Sequence, residues 1–395
     1  MGILGIIVEY NPFHKGHGSH LALSKAKTGC ETVIAVMSGN FVQRGEPAIC
    51  DKWQRTRMAL AEGVDLVIEL PLYYATGGAE YFARGAVTLL AATGLVDYLC
   101  FGSECADIGK ITDCAKILLE EREGDKLKTL LNQGLSYPAA REKAYEEFIE
   151  TGGLLSKPNN ILGVEYMKAL LGMESKTEMQ AHTVPRSPGA AKNIRENMKR
   201  GITVEHDMSD VSWKILSDNI KIHGAADLDN LSMAFLSIAR NKNLSQHLHN
   251  YVDVSEGLEN RFVKCAQEYF WLSDILAAVK TKRYTYTRLQ RAALHIILGI
   301  TKERLAEYER ANGPQYIRVL GFKRNRADLL KALEHNASLP IVMNLKNAIL
   351  PDLATQMLND EICSTELYSL AFPPPKKGSR KRNSFHEYSM PLVVL

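Results

Sequence analysis

Two histidines, His14 and His17, bracket a glycine in the stretch His14-Lys15-Gly16-His17, directly after an apolar run and an Asn-Pro pair. Their place matters more than their number. An apolar run at Ile3–Glu9 reads as a buried strand, Pro12 stops its ladder, and a helical pattern begins at His17. A helix that opens there offers free backbone N–H groups and the positive end of its dipole, which favour phosphate. Gly16 lets the backbone approach a ligand closely. Imidazoles beside such an anion site can donate hydrogen bonds to phosphate oxygens. Their charge is adjustable near neutral pH, which suits a pyrophosphate leaving group. His14 and His17 are therefore the candidate catalytic pair of a nucleotide site.

The elements around the pair must position it. Thr32–Met37, Val64–Leu70 and Val96–Phe101 read as further buried strands, with helices at Lys52–Glu62 and Ala79–Ala92 between them. Helices are expected within 107–150 and at Ile161–Leu171, a fifth strand at Glu178–Val184, and a helix at Lys192–Lys199. β-branched runs alternating with helices predict an α/β fold, a doubly wound parallel sheet of Rossmann-like type. Ligands of such sheets bind at the carboxyl ends of the strands. Beyond about residue 205 the apolar spacing becomes helical, with short strand patterns only at Ile317–Gly321 and Pro340–Met343. The expected division is a nucleotide-binding catalytic domain over 1–205 and a mainly helical, basic second domain over 206–395.

Composition narrows the partners. Residues 1–205 carry 23 Lys/Arg against 25 Asp/Glu, and the remainder 25 against 20. Within 280–331 there are 13 basic and 4 acidic residues, an excess of +9 that points to a polyanion. No apolar run is long enough to span a membrane and no signal peptide is evident, so a cytoplasmic protein is expected. The 7 cysteines form no CxxC pair, which predicts free thiols and no structural metal. The stretch 373–382 reads as a basic tail or linker.

The segments "EYNPFHKGHGSHL", "VIAVMSGNFVQRGEPAICDKWQRTRMAL", "GVDLVIELP" and "FGSE" resemble the tRNA(Met) cytidine acetate ligase family, within the HIGH-motif nucleotidyltransferases. A looser likeness continues through "TKRYTYTRLQRAALHIILGI". The resemblance implies that ATP, accompanied by Mg²⁺, activates acetate as acetyl-adenylate. The acetyl group then passes to N4 of the wobble cytidine of elongator tRNA(Met). The implied ATP segment is Ile7, Val8, Glu9, Tyr10, Asn11, Pro12, Phe13, His14, Lys15, Gly16, His17, Gly18, Ser19 and His20. Gly102, at the end of the fourth strand, and Arg186, at the end of the fifth, join it. The resemblance implies that Asn159 or Asn160 is a further ATP contact, whereas their place before a helical pattern by itself favours helix capping. Relatives in the superfamily carry hydroxyls before the last helix, where this chain has Ala190 and Ala191, so a phosphate contact there falls to Lys192 or is absent.

The loop after the second strand borders the same crevice. Ser38, Gly39, Asn40, Gln43, Arg44 and Lys52 are the candidate acetate pocket, with Gln43, Arg44 or Lys52 as donors. In the basic half, Lys280, Lys282, Arg283, Arg288 and Arg291 can meet tRNA phosphates, Tyr284 and Tyr286 can stack on bases, and Lys323 and Arg324 add charge. Two rival readings remain: nucleotide transfer to a small phosphorylated substrate, and a non-catalytic nucleotide-sensing RNA binder. No residue pattern speaks to the oligomeric state.

Overall fold

The computed structural model describes residues 2–374 and 386–395, apart from 121–123, 146–152, 174–176 and 187–189. In chain order it begins β1 (Ile3–Val8), α1 (Lys15–Thr28), β2 (Thr32–Ser38), β3 (Phe41–Val42), β4 (Glu46–Pro47), α2 (Lys52–Ala61) and β5 (Leu66–Leu70). Then come α3 (Ala79–Ala92), β6 (Tyr98–Ser103), α4 (Pro158–Leu171), β7 (Gln180–Pro185) and α5 (Ala190–Lys199). Three helices within 108–144 join β6 to α4. All five expected strands and their helices are present, with ends moved by at most three residues. The hairpin β3–β4 was not anticipated.

β5, β2, β1, β6 and β7 lie side by side in that order, all parallel. β2 and β5 are buried on both faces, which explains their unbroken apolar sequences. Connections step one way from β1 to β2 and β5, and the other way to β6 and β7. The order reverses between β1 and β6, so a crevice opens at their carboxyl ends.

From 210 to 310 the chain is helical, as expected, and includes α6 (Tyr286–Leu298). The last part of the chain then returns to the first sheet, across the expected boundary at residue 205. β8 (Ile317–Phe322) pairs antiparallel with β5. β9 (Ile341–Val342) and β10 (Val393–Val394) pair parallel with β8, and α7 (Asp352–Tyr368) lies between them in sequence. The physical reason is the open edge of β5. Its unpaired backbone groups need a partner strand, and the apolar Ile317–Phe322 supplies one.

A buried ion cluster fastens this returning segment. Lys52 Nζ lies 2.5 Å from both Glu69 Oε1 and Glu387 Oε1. Arg318 reaches Glu387 Oε2 at 2.5 Å and Glu69 Oε2 at 3.1 Å. Glu361, 3.7 Å from Lys52, completes it. Burial, reinforced by the Glu69 charge, pushes the Glu361 carboxyl up to about 8. Glu387 is buried too, yet Lys52 and Arg318 hold it down at about 2. Two cations thus face three acidic side chains, of which Glu361 is the one that burial holds toward its protonated form. Most of the 373–382 tail, from residue 375, lies outside the described residues.

Candidate active site

A cavity of about 710 Å³ opens where the strand order reverses. His14 caps α1, its Nδ1 accepting from the Gly16 N–H at 3.0 Å, and His17 Nδ1 accepts from the His14 N–H at 3.3 Å. The rings stack with centroids 3.7 Å apart. A side chain at residue 16 would strike the His14 ring at 2.8 Å, so Gly16 is what lets that ring fold over the helix end. With both Nδ1 atoms accepting, the proton of each neutral ring sits on Nε2, and both side chains line the cavity.

The expectation of a pair that titrates near pH 7 is corrected. Burial first, then the Arg186 charge, lowers His14 to about 4. Burial, with His14 and Arg186, takes His17 well below the usual range, and His20 falls to about 4. The pair therefore presents neutral N–H donors at physiological pH. Tyr10 Oη, Asn11 Nδ2 and His20 Nε2 also belong to cavity-lining residues, are buried, and lack a protein partner. Polar atoms left this way are costly unless a ligand meets them, and they suit a nucleotide.

Of the expected segment, Ile7, Val8, Glu9, Tyr10, Asn11, His14, His17 and His20 line the cavity. Pro12, Phe13, Lys15, Gly16, Gly18 and Ser19 do not; Lys15 Nζ instead donates to the His206 carbonyl at 2.8 Å. Gly102 and Arg186 both line it, and the stem of Arg186 packs where a Gly102 side chain would stand. The structure separates the two asparagines. Asn159 lines the cavity, while the Asn160 side chain accepts from the backbone N–H groups of Glu104 and Cys105. Lys192 and Arg195 line the cavity as well, and Arg195 donates to the Asn11 carbonyl at 2.8 Å.

The acetate expectation changes most. Gln43 and Arg44 line the cavity. Lys52 is fully buried in the ion cluster and does not. Asn40 ties the Lys52 N–H to the Thr365 hydroxyl, Gly39 faces Glu69 and Glu361, and Ser38 is buried. These four shape the loop from behind. Sequence reading missed Arg55, a buried guanidinium that donates to the carbonyls of Glu9 (2.7 Å), Ser38 (3.0 Å) and Gly39. It thereby ties the carboxyl ends of β1 and β2 together. Lys52, Thr56 and Ala59, buried at helical spacing with it, were the available signal.

The basic half meets the same cavity. Arg283, Arg288 and Arg291 line it. The β3–β4 hairpin brings them near: Gly45, at φ +79°, lies where a side chain would overlap the backbone of Arg291. Tyr286 is 40% exposed. Tyr284 is buried, with its hydroxyl 3.3 Å from Glu256 and the Arg288 guanidinium over its ring, so stacking on a base is corrected for this residue. Lys280 and Lys282 are exposed outside the cavity. Lys323 pairs with Asp65 at 3.2 Å, and the Arg324 N–H donates to the Leu395 carbonyl. Both lie at the amino ends of the strands, on the far edge of the sheet from the cavity.

Among the described residues no three His, Cys, Asp or Glu side chains converge as a metal site. Comparison with known proteins agrees with the geometry. Residues 1–383 match the family described as HIGH Nucleotidyl Transferase. The tRNA(Met) cytidine acetate ligase of Acetivibrio thermocellus is 38% identical, each chain covered fully, and that of Halothermothrix orenii is 39% identical over 100% of this chain and 99% of that one. Thermotoga maritima TmcAL, crystallised with alpha-thio ATP, superposes with a TM-score of 0.90 at 37% identity over all of both chains. With a relative this similar matched end to end and the histidine pair seated at the strand reversal, the chain belongs to the tRNA(Met) cytidine acetate ligase family of HIGH nucleotidyl transferases.

Proposed function

We propose that this protein is an ATP-dependent ligase that makes acetyl-adenylate and acetylates N4 of the wobble cytidine of elongator tRNA(Met), giving N4-acetylcytidine. The observation that carries the reading is one cavity lined by two sets of groups: imidazole donors with Arg186 from the sheet, and Arg283, Arg288 and Arg291 from the helical half. The names of the relatives supply the substrates, and the Thermotoga maritima structure supplies the nucleotide.

ATP lies across the ends of β1 and β6, with its phosphates toward the start of α1. Acetate is already ionised, so its oxygen attacks the α-phosphorus without a base. The bond to the β-phosphate oxygen breaks, and pyrophosphate leaves with the electron pair. His14 and His17 donate from Nε2 to the phosphate oxygens, and Arg186 adds charge. Buried and held at the start of α1, the two imidazoles stabilise the leaving group as placed donors. Gln43 and Arg44 are the donors left to hold acetate. In the second step the cytidine N4 attacks the acetyl carbonyl and loses a proton, and AMP leaves.

Among the described residues no group of side chains forms a cage for Mg²⁺; an ion bound together with ATP would offset the charge of its phosphates. Residues 1–205 are assigned the adenylation step, and the helices that follow are assigned the RNA. No helix among the described residues is long and apolar enough to cross a membrane, and the proposed use of ATP and tRNA supports a cytoplasmic reaction. The deciding experiment measures pyrophosphate release and labelled-acetate transfer, each with and without tRNA. Acetate-dependent pyrophosphate without tRNA, and label on the RNA when it is added, are the expected results. A stable nucleotidyl product instead of acetylated RNA would replace this reading with a nucleotidyltransferase.

A further inference from the structure

One short loop sets the three cavity arginines that come from the helical half, Arg283, Arg288 and Arg291. Asp253 Oδ2 accepts from Arg291 Nε at 2.8 Å, Ser255 Oγ from Arg288 at 2.8 Å, and Glu256 Oε2 from Arg283 Nε at 2.8 Å. Asp253 and Glu256 have φ of 64° and 59°, a left-handed backbone that side chains other than glycine adopt at a cost and that gathers at functional sites. The loop therefore holds an unfavourable shape while aiming cations at the cavity. Arg288 differs from its neighbours. Among the described residues no carboxylate lies within ion-pair distance of it; its guanidinium is held by Ser255 and rests over the Tyr284 ring at 5.1 Å.

The charges say what this wall fits. Three guanidinium groups less the two carboxylates of Asp253 and Glu256 leave +1. A triphosphate carries several negative charges and already has His14, His17 and Arg186 in the cavity. A single phosphodiester carries one. Resting on the ligase reading above, we infer that this wall binds one phosphodiester of the RNA beside the cytidine being acetylated, with Arg288 as the contact. Ser255 then acts as a positioning residue. The wall thereby belongs to the acetyl-transfer step and delivers the base to the cavity, rather than gripping the RNA at a distance.

The test uses the full-length protein and anticodon-arm RNA carrying a neutral methylphosphonate at the linkage on either side of the target cytidine. One of the two linkages should lower acetyl transfer by the parent about ten- to a hundredfold. Arg288→Ala should show a similar loss on unmodified RNA and no further loss on the modified RNA. Its loss in tRNA-free acetyl-adenylate formation should be far smaller. Ser255→Ala should raise KM for RNA while keeping kcat, and Arg288→Lys should recover part of the binding. If Arg288→Ala does not fold, the modified RNAs in the parent decide alone. Parent activity indifferent to both linkages, or losses that multiply in the variant, overturn the inference. An equal loss in acetyl-adenylate formation overturns it too and reassigns Arg288 to the triphosphate. A parent that acetylates no RNA at all removes the ligase reading itself, a different failure.

Discussion

The basic stretches 280–291 and 323–326 look alike in sequence, and the fold sends them to opposite edges of the sheet. The first runs into α6, whose capping Thr285 lines the cavity with Arg283, Arg288 and Arg291. The second follows β8, which runs antiparallel to β5 and so ends at the amino edge. There Asp65 takes Lys323 at 3.2 Å and Arg326 at 3.7 Å, and Arg326 also donates to the Thr32 hydroxyl. A third set, Lys52 and Arg318, is buried among carboxylates. A cation's work is decided by its partners, and those depend on strand direction. Lys323 and Arg324, grouped in the sequence reading with the basic residues of 280–291, thus lie away from the cavity arginines.

The largest expected effect sharpens the contrast between buried and cavity-facing cations. Lys52→Met leaves Glu69 and Glu387 short of a cation and should cost about 3–5 kcal/mol of stability, read by denaturant unfolding. A loss under about 1 kcal/mol would mean that the cluster is not desolvated as described. Next is the nucleotide wall. His17→Ala should cut acetate-dependent pyrophosphate release about a hundred- to a thousandfold, the loss of one placed donor at a developing charge. Turnover equal to the parent's would place the chemistry elsewhere.

Smaller effects probe the protonated acid and the far edge. Glu361 has its folded pKa raised, so the stability it contributes is complete below the ordinary carboxylate range and is lost as pH rises toward about 8. Glu361→Gln copies the protonated form. Its melting temperature should therefore fall less than the parent's between pH 5 and pH 8; parallel slopes would deny the buried proton. Lys323→Ala should be smallest, changing stability by about 1 kcal/mol or less and acetyl transfer by less than any cavity arginine. If Lys323→Ala instead matched Arg288→Ala in acetyl transfer, the two-edge comparison would be broken.

The parallel sheet, the place of its crevice and the histidine pair were legible in the order of residues along the chain. Each rests on local rules: β-branched runs for buried strands, Pro12 to end one, and a glycine two residues after His14 so the ring can cap α1. The helical character of 210–310 followed from apolar spacing in the same way. Only the tertiary structure decided the rest. It put β8, β9 and β10 on the edge of β5, because a partner for an open strand edge is chosen over long sequence distance. It buried Lys52, which sequence spacing offered to acetate, since the carboxylates that claim it lie 17, 309 and 335 residues away, at Glu69, Glu361 and Glu387. It kept His14 and His17 neutral, because burial and the nearby Arg186 disfavour a second proton on each ring. And it brought the arginines of α6 to the histidines of α1 through the β3–β4 hairpin, where the absence of a side chain at Gly45 admits the backbone of Arg291.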